Sequence, residues 1–240
     1  MGPVARSNLL MPILRHHPLS AGSRYVRLVL AEYGEEVTLV EETPWERSEE
    51  LLALNPAGTL PVFIDEDGGV VAGAPVIAEY LFETRGSRLG EFALMPTNPI
   101  ERAEIRRLVA WFLGKLDAEV TGYLLNEKIY KRHQRADNGG GPPDAAAIRA
   151  ARSNIRYHMR YIGYLMARRS WLAGKELTFA DLAAAAEVSC VDYLGEVPWD
   201  EDVQAKAWYA RIKSRPSFRP IRADLMRGNP PPPHYADLDF

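Results

Sequence analysis

Prolines restrict the fold of this chain more than any other residue type, because each one removes a backbone donor from a helix interior. The sequence contains 18 prolines in 240 residues, yet none falls between residues 100 and 141 or between residues 144 and 197. Seven precede residue 76, and four are consecutive at 230–233. Long helices are therefore expected only in the second part of the chain, and short elements in the first.

The balance of charge changes at the same place as the use of proline. Residues 1–95 carry seven basic and fourteen acidic side chains, whereas residues 96–240 carry 22 basic and 18 acidic ones. Both changes predict two domains, 11–95 and 98–227, joined near residues 95–99. Residues 228–240 are predicted to form a proline-rich C-terminal tail with polyproline II character.

Composition excludes several classes of protein. No apolar run approaches the ~18 residues needed to cross a bilayer, so the chain is not expected to span a membrane. Cys190 is the only cysteine and the five histidines are scattered, so neither a disulfide, a metal site nor a bound cofactor is expected. The N terminus lacks signal-peptide character, and the net charge of -3 with no recognised motif argues against nucleic acid as a partner. A cytoplasmic location is therefore expected.

Local signals in the first part alternate between strands and helices in the order β-α-β-α-β-β-α. Hydrophobic periodicity and turn residues predict strands at 11–15, 37–40, 61–64 and 70–72, and helices at 24–32, 51–54 and 75–84. The second part is predicted to be helical, with segments at 98–132, 144–168 and 200–215 and an alanine-rich helix after residue 178. Thr178 and Asp181 have the spacing of a capping box at the start of that helix.

This order of elements, together with three motifs, resembles the cytosolic glutathione transferases over roughly residues 11–222. The motifs are NPAGTLPVF at 55–63, the capping box, and WYARIKSRPSF at 208–218. The resemblance implies an α/β, thioredoxin-like N-terminal domain followed by an all-helical C-terminal domain. It also implies a cis peptide bond before Pro61, which lets Leu60 present its backbone N–H and C=O to a ligand. All three motifs can equally be explained as parts of the scaffold.

The catalytic part of that resemblance is incomplete. Ser20 lies where serine- or cysteine-type transferases carry the residue that stabilises the thiolate, with Ser23 as a second candidate, although Ser20 can equally be a helix cap. Where the family has a Glu-Ser pair to anchor glutathione, this sequence has Gly73 and Ala74. The glutathione site, comprising Ser20, Leu60, Pro61, Gly73 and Ala74, is therefore interpreted as degenerate, because the missing pair supplies charge-assisted hydrogen bonds.

Five further segments resemble the glutathione-transferase-like, FtsZ-binding division proteins of alphaproteobacteria. They are LRHHPLSAGSRYVRL, PWER, YIGYL, VDYLGEVPWD and PPPHYADLDF. The resemblance implies a non-catalytic homodimer at the division site that binds FtsZ filaments, modulates their curvature and couples the division ring to cell-wall synthesis. The dimer interface is expected between the third helix of one subunit and the fourth of the other.

Three features of the sequence could contact such a partner. Arg149, Arg152, Arg156 and Arg160 form one helical stripe with no acidic residue between 145 and 172, which favours an acidic partner or an ordinary solvated face. Trp45 lies in a polar loop, either displayed or packed on its own domain. The tail carries a candidate linear motif formed by Tyr235, Asp237, Asp239 and Phe240, which could bind FtsZ or a protein of cell-wall synthesis. The tail could instead lie on its own domain.

Two alternatives stay open at this stage. One is a working glutathione transferase that uses Ser20, against which the missing Glu-Ser pair argues. The other is a glutathione-independent protein that binds a small molecule in the retained cleft. The sequence does not identify that molecule.

Overall fold

The first part of the chain forms the predicted series of short strands and helices. The computed structural model describes residues 11–238, apart from the side chains of residues 91 and 92. The strands are β1 (Ile13–His16), β2 (Thr38–Glu41), β3 (Val62–Ile64) and β4 (Val70–Ala72), and the helices are α1 (Ala21–Glu32), α2 (Glu49–Leu54) and α3 (Ala74–Arg85). The predicted order is therefore confirmed, with boundaries that shift by a few residues.

The four strands form one sheet in the order β2-β1-β3-β4. β1 pairs in parallel with β2, and β3 is antiparallel to both β1 and β4. Leu14 and Phe63, which are partners across β1 and β3, are both fully buried. This is the thioredoxin-like arrangement predicted for the N-terminal part, with α1 and α3 covering the sheet through a shared apolar core.

Two local features of this half were predicted from sequence and are confirmed. The Leu60–Pro61 peptide bond is cis. Gly34 follows α1 with φ +64°, the left-handed conformation that ends a helix and that glycine adopts without strain.

The second part of the chain is helical. Its elements are α4 (Pro99–Ala110), a π-helical segment (Trp111–Thr121), α5 (Gly122–Leu125), a second π-helical segment (Asn126–Tyr130), α6 (Lys131–His133), α7 (Ala145–Met166), α8 (Phe179–Tyr193), α9 (Val203–Lys213) and α10 (Arg219–Arg222). The elements from Pro99 to His133 follow one another without a break. The wide π turns within this run were not predicted, since hydrophobic spacing distinguishes them poorly from α-helix.

α8 is the centre of the molecule, since all of its residues from Phe179 to Tyr193 are buried. Thr178 caps it as predicted: its hydroxyl accepts from the Ala180 N–H at 3.3 Å, while Asp181 accepts from the Thr178 N–H at 3.1 Å. The alanines allow close packing against α1, α4 and α9. A helix that is buried on every side is expected to be apolar all round. Acidic residues on α8 therefore need an explanation, either as parts of the fold or as parts of a binding site.

The segment predicted to be a linker is packed rather than loose. Leu94 and Met95 are buried, and the Leu94 carbonyl accepts from the N–H of Phe179 at 3.3 Å. Asn98 caps α4 through its side chain. One apolar cluster continues from the sheet into the helices, so the domain boundaries at 95 and 98 stay a prediction from sequence.

Of the two arrangements left open for the proline-rich segment from residue 228, the structure shows the one in which it packs on the rest of the chain. Tyr235 is fully buried and its hydroxyl donates to the carbonyl of Ile221 at 3.0 Å, which corrects its expected place in a partner-binding motif. Tyr235 packs in a second apolar cluster that includes Leu19 and Tyr193. Hydrophobic periodicity could not indicate the burial of Tyr235, because this tyrosine is separated from every periodic element. None of the helices described in residues 11–238 has the length and apolar character of a membrane span.

Candidate functional site

A cleft lies between the start of α1, the cis-proline loop and the helical half of the chain. Its volume is about 350 Å³. The lining residues come from the start of α1, the loop before β3, the start of α3, both π-helical segments, α5 and α8: Ser20, Ala21, Gly22, Leu60, Ala74, Pro75, Leu113, Asp117, Gly122, Leu125, Tyr130 and Glu187. Three of the five residues predicted to form the degenerate glutathione site line this cleft, namely Ser20, Leu60 and Ala74, and Pro61 and Gly73 are their neighbours in sequence.

Glycine makes the close approach of α1 to this loop possible. A Cβ atom on Gly22 would lie 3.2 Å from the Cβ of Ala74, 3.4 Å from Cδ of Pro61 and 3.7 Å from the carbonyl oxygen of Leu60. The helix N-terminus and the cis-proline loop are thus held against each other.

Ser20 caps α1, which was one of its two predicted roles. Its Oγ accepts from the Ser23 N–H at 3.2 Å, and its backbone is extended, as a helix cap requires. Ser23 is fully buried, and its Oγ accepts from the N–H of His17 at 3.3 Å. Ser20 lines the cleft, so its hydroxyl is in place to face a ligand, whereas Ser23 serves the fold.

The expected glutathione anchor has no side-chain ligand. Gly73 has φ +92° and stands before α3, which begins at Ala74 with Pro75 in its first turn and no side-chain cap. No hydroxyl or carboxylate is therefore available at this helix start. Backbone N–H groups alone would have to bind the carboxylate of the γ-glutamyl group.

Two acidic side chains line the helical wall of the cleft, and sequence reasoning missed both. Glu187 on α8 is 1% exposed, and its Oε2 accepts no hydrogen bond from any described residue. Burial raises the pKa of Glu187 well above its usual value and the nearby Asp117 raises it further, while the hydroxyl of Thr121 beside the carboxyl group acts in the opposite direction. Burial also raises the pKa of Asp117. The missed signal was a lone glutamate within an alanine-rich, uniformly apolar helix.

Trp45 is half-buried, so of the two arrangements left open its side chain is packed rather than displayed. Its ring stacks on His133 with centroids 5.6 Å apart and lies 5.2 Å from the ring of Tyr130 and 5.9 Å from that of His17. It therefore packs across the two halves of the chain rather than on its own domain. One edge of this aromatic cluster is formed by His133, which is exposed.

The arginine stripe on α7 is exposed at all four positions, as predicted. Its charge is partly balanced, however, by the segment that follows α8. Arg152 makes a two-point contact with Glu196 at 2.5 and 2.7 Å, and Arg156 pairs with Glu201. Arg149 and Arg160 form no ion pair with any residue described in the structure. The sequence could not show these partners, because they come from 44 and 45 residues further along the chain.

The three predicted contact regions are linked in space. Arg132, next to His133, donates to Asn229 at 3.0 Å, and so ties the aromatic cluster to the proline-rich segment. Lys128, one turn earlier, binds Glu196 at 2.6 Å, the same carboxylate that holds Arg152. We call this surface the partner face; it comprises Trp45, Arg132, His133, the four arginines of α7 and the prolines at 230–232.

The tail residues predicted to contact a partner differ in their exposure. Tyr235 is in the core and cannot contact a partner while the segment is folded. Asp237 is exposed. Asp239 and Phe240 lie outside the described residues. Within residues 11–238, His, Cys, Asp and Glu side chains nowhere gather in a group of three that could hold a metal.

Comparison with known proteins agrees with this geometry. The models of the glutathione S-transferase N-terminal and C-terminal domains match residues 19–84 and 143–216. FtsZ-localized protein A of Caulobacter vibrioides is 44% identical over 230 residues, covering 95% of this chain and 97% of that protein. The chain belongs to the glutathione transferase family, in the group of FtsZ-localized protein A.

Solved structures support the same assignment within the glutathione transferase family. The structure described as FzlA from C. crescentus is 43% identical with a TM-score of 0.89, covering 96% of this chain and 100% of that one. A structure described as a glutathione S-transferase from Sinorhizobium meliloti is 52% identical with a TM-score of 0.94 and the same coverage. The predicted fold class and family are confirmed.

Proposed function

We propose that this protein binds FtsZ filaments through the partner face and acts in cell division without catalysing glutathione transfer. The observation that supports it most is the 44% identity over 95% of the chain to a protein named for its localisation with FtsZ. The resemblance further implies a cytoplasmic protein at the division site that changes filament curvature and couples the ring to cell-wall synthesis. Those roles form part of the same proposal.

The charge of the partner face suits an acidic partner. Arg149 and Arg160 are exposed and form no ion pair with the described residues, so their charge is available to another molecule. Arg152 and Arg156 are already paired, and each would have to exchange its glutamate for a partner carboxylate. The unpaired arginines are therefore expected to contribute more than the paired ones to association and to its sensitivity to salt.

Co-sedimentation with GTP-assembled FtsZ filaments tests the proposal. The double substitution Arg149→Glu and Arg160→Glu is expected to weaken binding about tenfold or more, because two attractive charges become repulsive. Arg219→Glu is the control, since this exposed arginine lies on α10 and is not one of the residues that define the partner face. Equal pelleting of the double variant and the unaltered protein, or an equal loss in the control, would contradict the proposal.

Electron microscopy of the same filaments addresses curvature. Added protein is expected to change the curvature of FtsZ filaments, and the double arginine variant to leave them as they are without protein. Binding without any change in filament shape would restrict the function to attachment.

The absence of catalysis is supported by the cleft. Its ionisable wall is acidic, whereas glutathione carries a net negative charge, and the helix start at Gly73–Ala74 offers no side-chain anchor. A glutathione-affinity column is expected to retain none of the protein, and a thiol-conjugation assay to show no rate above background. Turnover that disappears in Ser20→Ala would overturn this part of the proposal.

A homodimer through α3 and α4 is the remaining part of the proposal. An apolar groove of about 260 Å³ lies between these helices, and its lining includes Pro75, Ala78, Val109 and Ala110. Val76 and Ile100 beside it are 59% and 74% exposed. We expect a second copy to cover this groove, so Val76→Glu should give monomers in sedimentation velocity. A Val76→Glu variant that stays dimeric would place the interface elsewhere.

A further inference from the structure

The cleft beside Ser20 contains an unpaired acid where a transferase would hold its substrate. Glu187 is 1% exposed and its Oε2 has no hydrogen-bond partner among the described residues, although it lines an open cleft. A buried carboxyl group of this kind is unfavourable for folding. Such a cost is tolerated at sites where a ligand supplies the missing partner.

The remaining lining of the cleft defines what that partner must be. Asp117 is the second ionisable acid, and no Lys, Arg or His side chain lines the cleft. Leu60, Leu113 and Leu125 form apolar walls around the two carboxyl groups. A ligand that satisfies both features has a cationic donor at its end and a short apolar stem.

We propose that this cleft is a binding site for an alkylamine, in which the carboxylate of Glu187 accepts hydrogen bonds from the ammonium group and Asp117 adds a second negative charge. The apolar walls contact the methylene chain. The volume of about 350 Å³ suits a small molecule or one inserted side chain. The inference concerns a different surface from the partner face, so it does not depend on FtsZ binding.

Protonation offers a direct signature of this contact. Burial raises the pKa of Glu187, and pairing with an ammonium ion favours the ionised carboxylate, so binding is expected to be accompanied by loss of a proton from this group. Nearby, burial raises the pKa of Cys190 to about 12 and also raises that of Tyr130, so both stay neutral. Arg24 on α1 is turned away, donating to Pro18 and Ser189. Asp117 is the other acid that can release a proton.

Isothermal titration calorimetry of the full chain tests the site with three probes. 1,5-Diaminopentane represents a free alkylamine, Nα-acetyl-lysine N-methylamide represents a protein side chain, and 1,5-pentanediol is the uncharged counterpart. At least one amine is expected to bind with release of protons, seen as a dependence of the heat on buffer ionisation enthalpy. The diol is expected not to bind. Tighter binding of 1,5-diaminopentane would indicate a free alkylamine as the ligand, and tighter binding of the lysine derivative would indicate an inserted lysine side chain.

Substitutions then locate the contact. Glu187→Gln keeps the shape and removes the charge, and should weaken amine binding about tenfold or more and reduce proton release to what Asp117 contributes. Asp117→Asn should weaken it less, and Glu36→Gln, the same change at an exposed position, should leave it unchanged. Circular dichroism checks that each variant is folded. The proposal is overturned if neither amine binds, if the diol binds equally well, or if Glu187→Gln binds amines as the unaltered protein does.

Discussion

Asp181 and Glu187 lie six residues apart on one buried helix, yet their surroundings differ completely. Asp181 is fully buried and accepts four hydrogen bonds, from the N–H of Leu172 at 2.9 Å, from the N–H and hydroxyl of Thr178, both at 3.1 Å, and from the indole of Trp208 at 3.1 Å. Glu187 has no donor for its Oε2. Burial raises the pKa of both groups, that of Asp181 to about 6.

The comparison distinguishes Asp181, whose hydrogen bonds stabilise the fold, from Glu187, whose burial destabilises it. Asp181 connects the start of α8 to the loop before it and to α9, so its cost of burial is offset by four bonds. Glu187 has no donor for its Oε2 and only the Thr121 hydroxyl beside its carboxyl group, and it faces a cleft. Buried charge is therefore not informative by itself, whereas a buried charge without partners beside open space indicates a binding site.

Replacing Asp181 should have the largest effect on the free energy of unfolding. Asp181→Ala leaves two backbone N–H groups and an indole N–H without acceptors inside the protein, which should lower the free energy of unfolding by about 3 kcal/mol or more. Urea denaturation followed by circular dichroism measures it. Asp200→Ala, at an exposed position, is the control and should change stability by less than about 0.5 kcal/mol. A small effect at Asp181 would remove the distinction between the two acids.

The pH dependence of stability should identify Glu187. Its pKa is near 4.5 in the unfolded chain and higher in the folded one. Between these values the folded state holds a proton that the unfolded state has lost, so the free energy of unfolding falls as pH rises, by up to about 1.4 kcal/mol per pH unit. The loss begins near pH 4.5 and ends above the folded-state pKa.

Glu187→Gln is the matched variant for this measurement, because it cannot ionise. The difference in unfolding free energy between Glu187→Gln and the unaltered protein should grow with pH over that window. Asp117, whose pKa is also raised, contributes a fall of the same sign in both proteins. A difference that is flat with pH would show that Glu187 has an ordinary pKa.

Signals contained within a few residues predicted the fold well. The capping box at Thr178 and the β-α-β-α-β-β-α order depend on local backbone chemistry, and these predictions are confirmed. The cis peptide bond at Pro61 was implied by family resemblance rather than by local physics, and it is confirmed too. Local signals determine which elements form and roughly where each ends.

Contacts between distant segments account for what the sequence did not predict. Tyr235 is buried against Tyr193 and bonded to Ile221, neither of which is near it in sequence. The balance of Arg152 by Glu196 and the packing of Trp45 on His133 have the same origin. Glu187 was overlooked because a helix pattern shows that a residue is buried, but not whether a cavity lies beside it.

Replacing the acid by an apolar side chain should change stability in opposite directions at the two positions. Glu187→Leu replaces an unsatisfied polar group by an apolar one of similar size, so stability at pH 7 should rise by about 1–2 kcal/mol. Asp181→Leu, made in parallel, should lower it. Urea denaturation of the pair gives the comparison, and destabilisation at Glu187 as large as that at Asp181 would mean that Glu187 serves the fold after all.

Thr178→Ala should have the smallest effect of the four. The substitution removes the cap on the Ala180 N–H and one of the four donors to Asp181, while the other three donors remain. Losses at single helix caps are about 1 kcal/mol, so stability should fall by about that amount, and Thr178→Ser should restore most of it. Thermal and urea denaturation measure both variants. A loss as large as that of Asp181→Ala would mean that the hydroxyl, rather than the carboxylate, organises the start of α8.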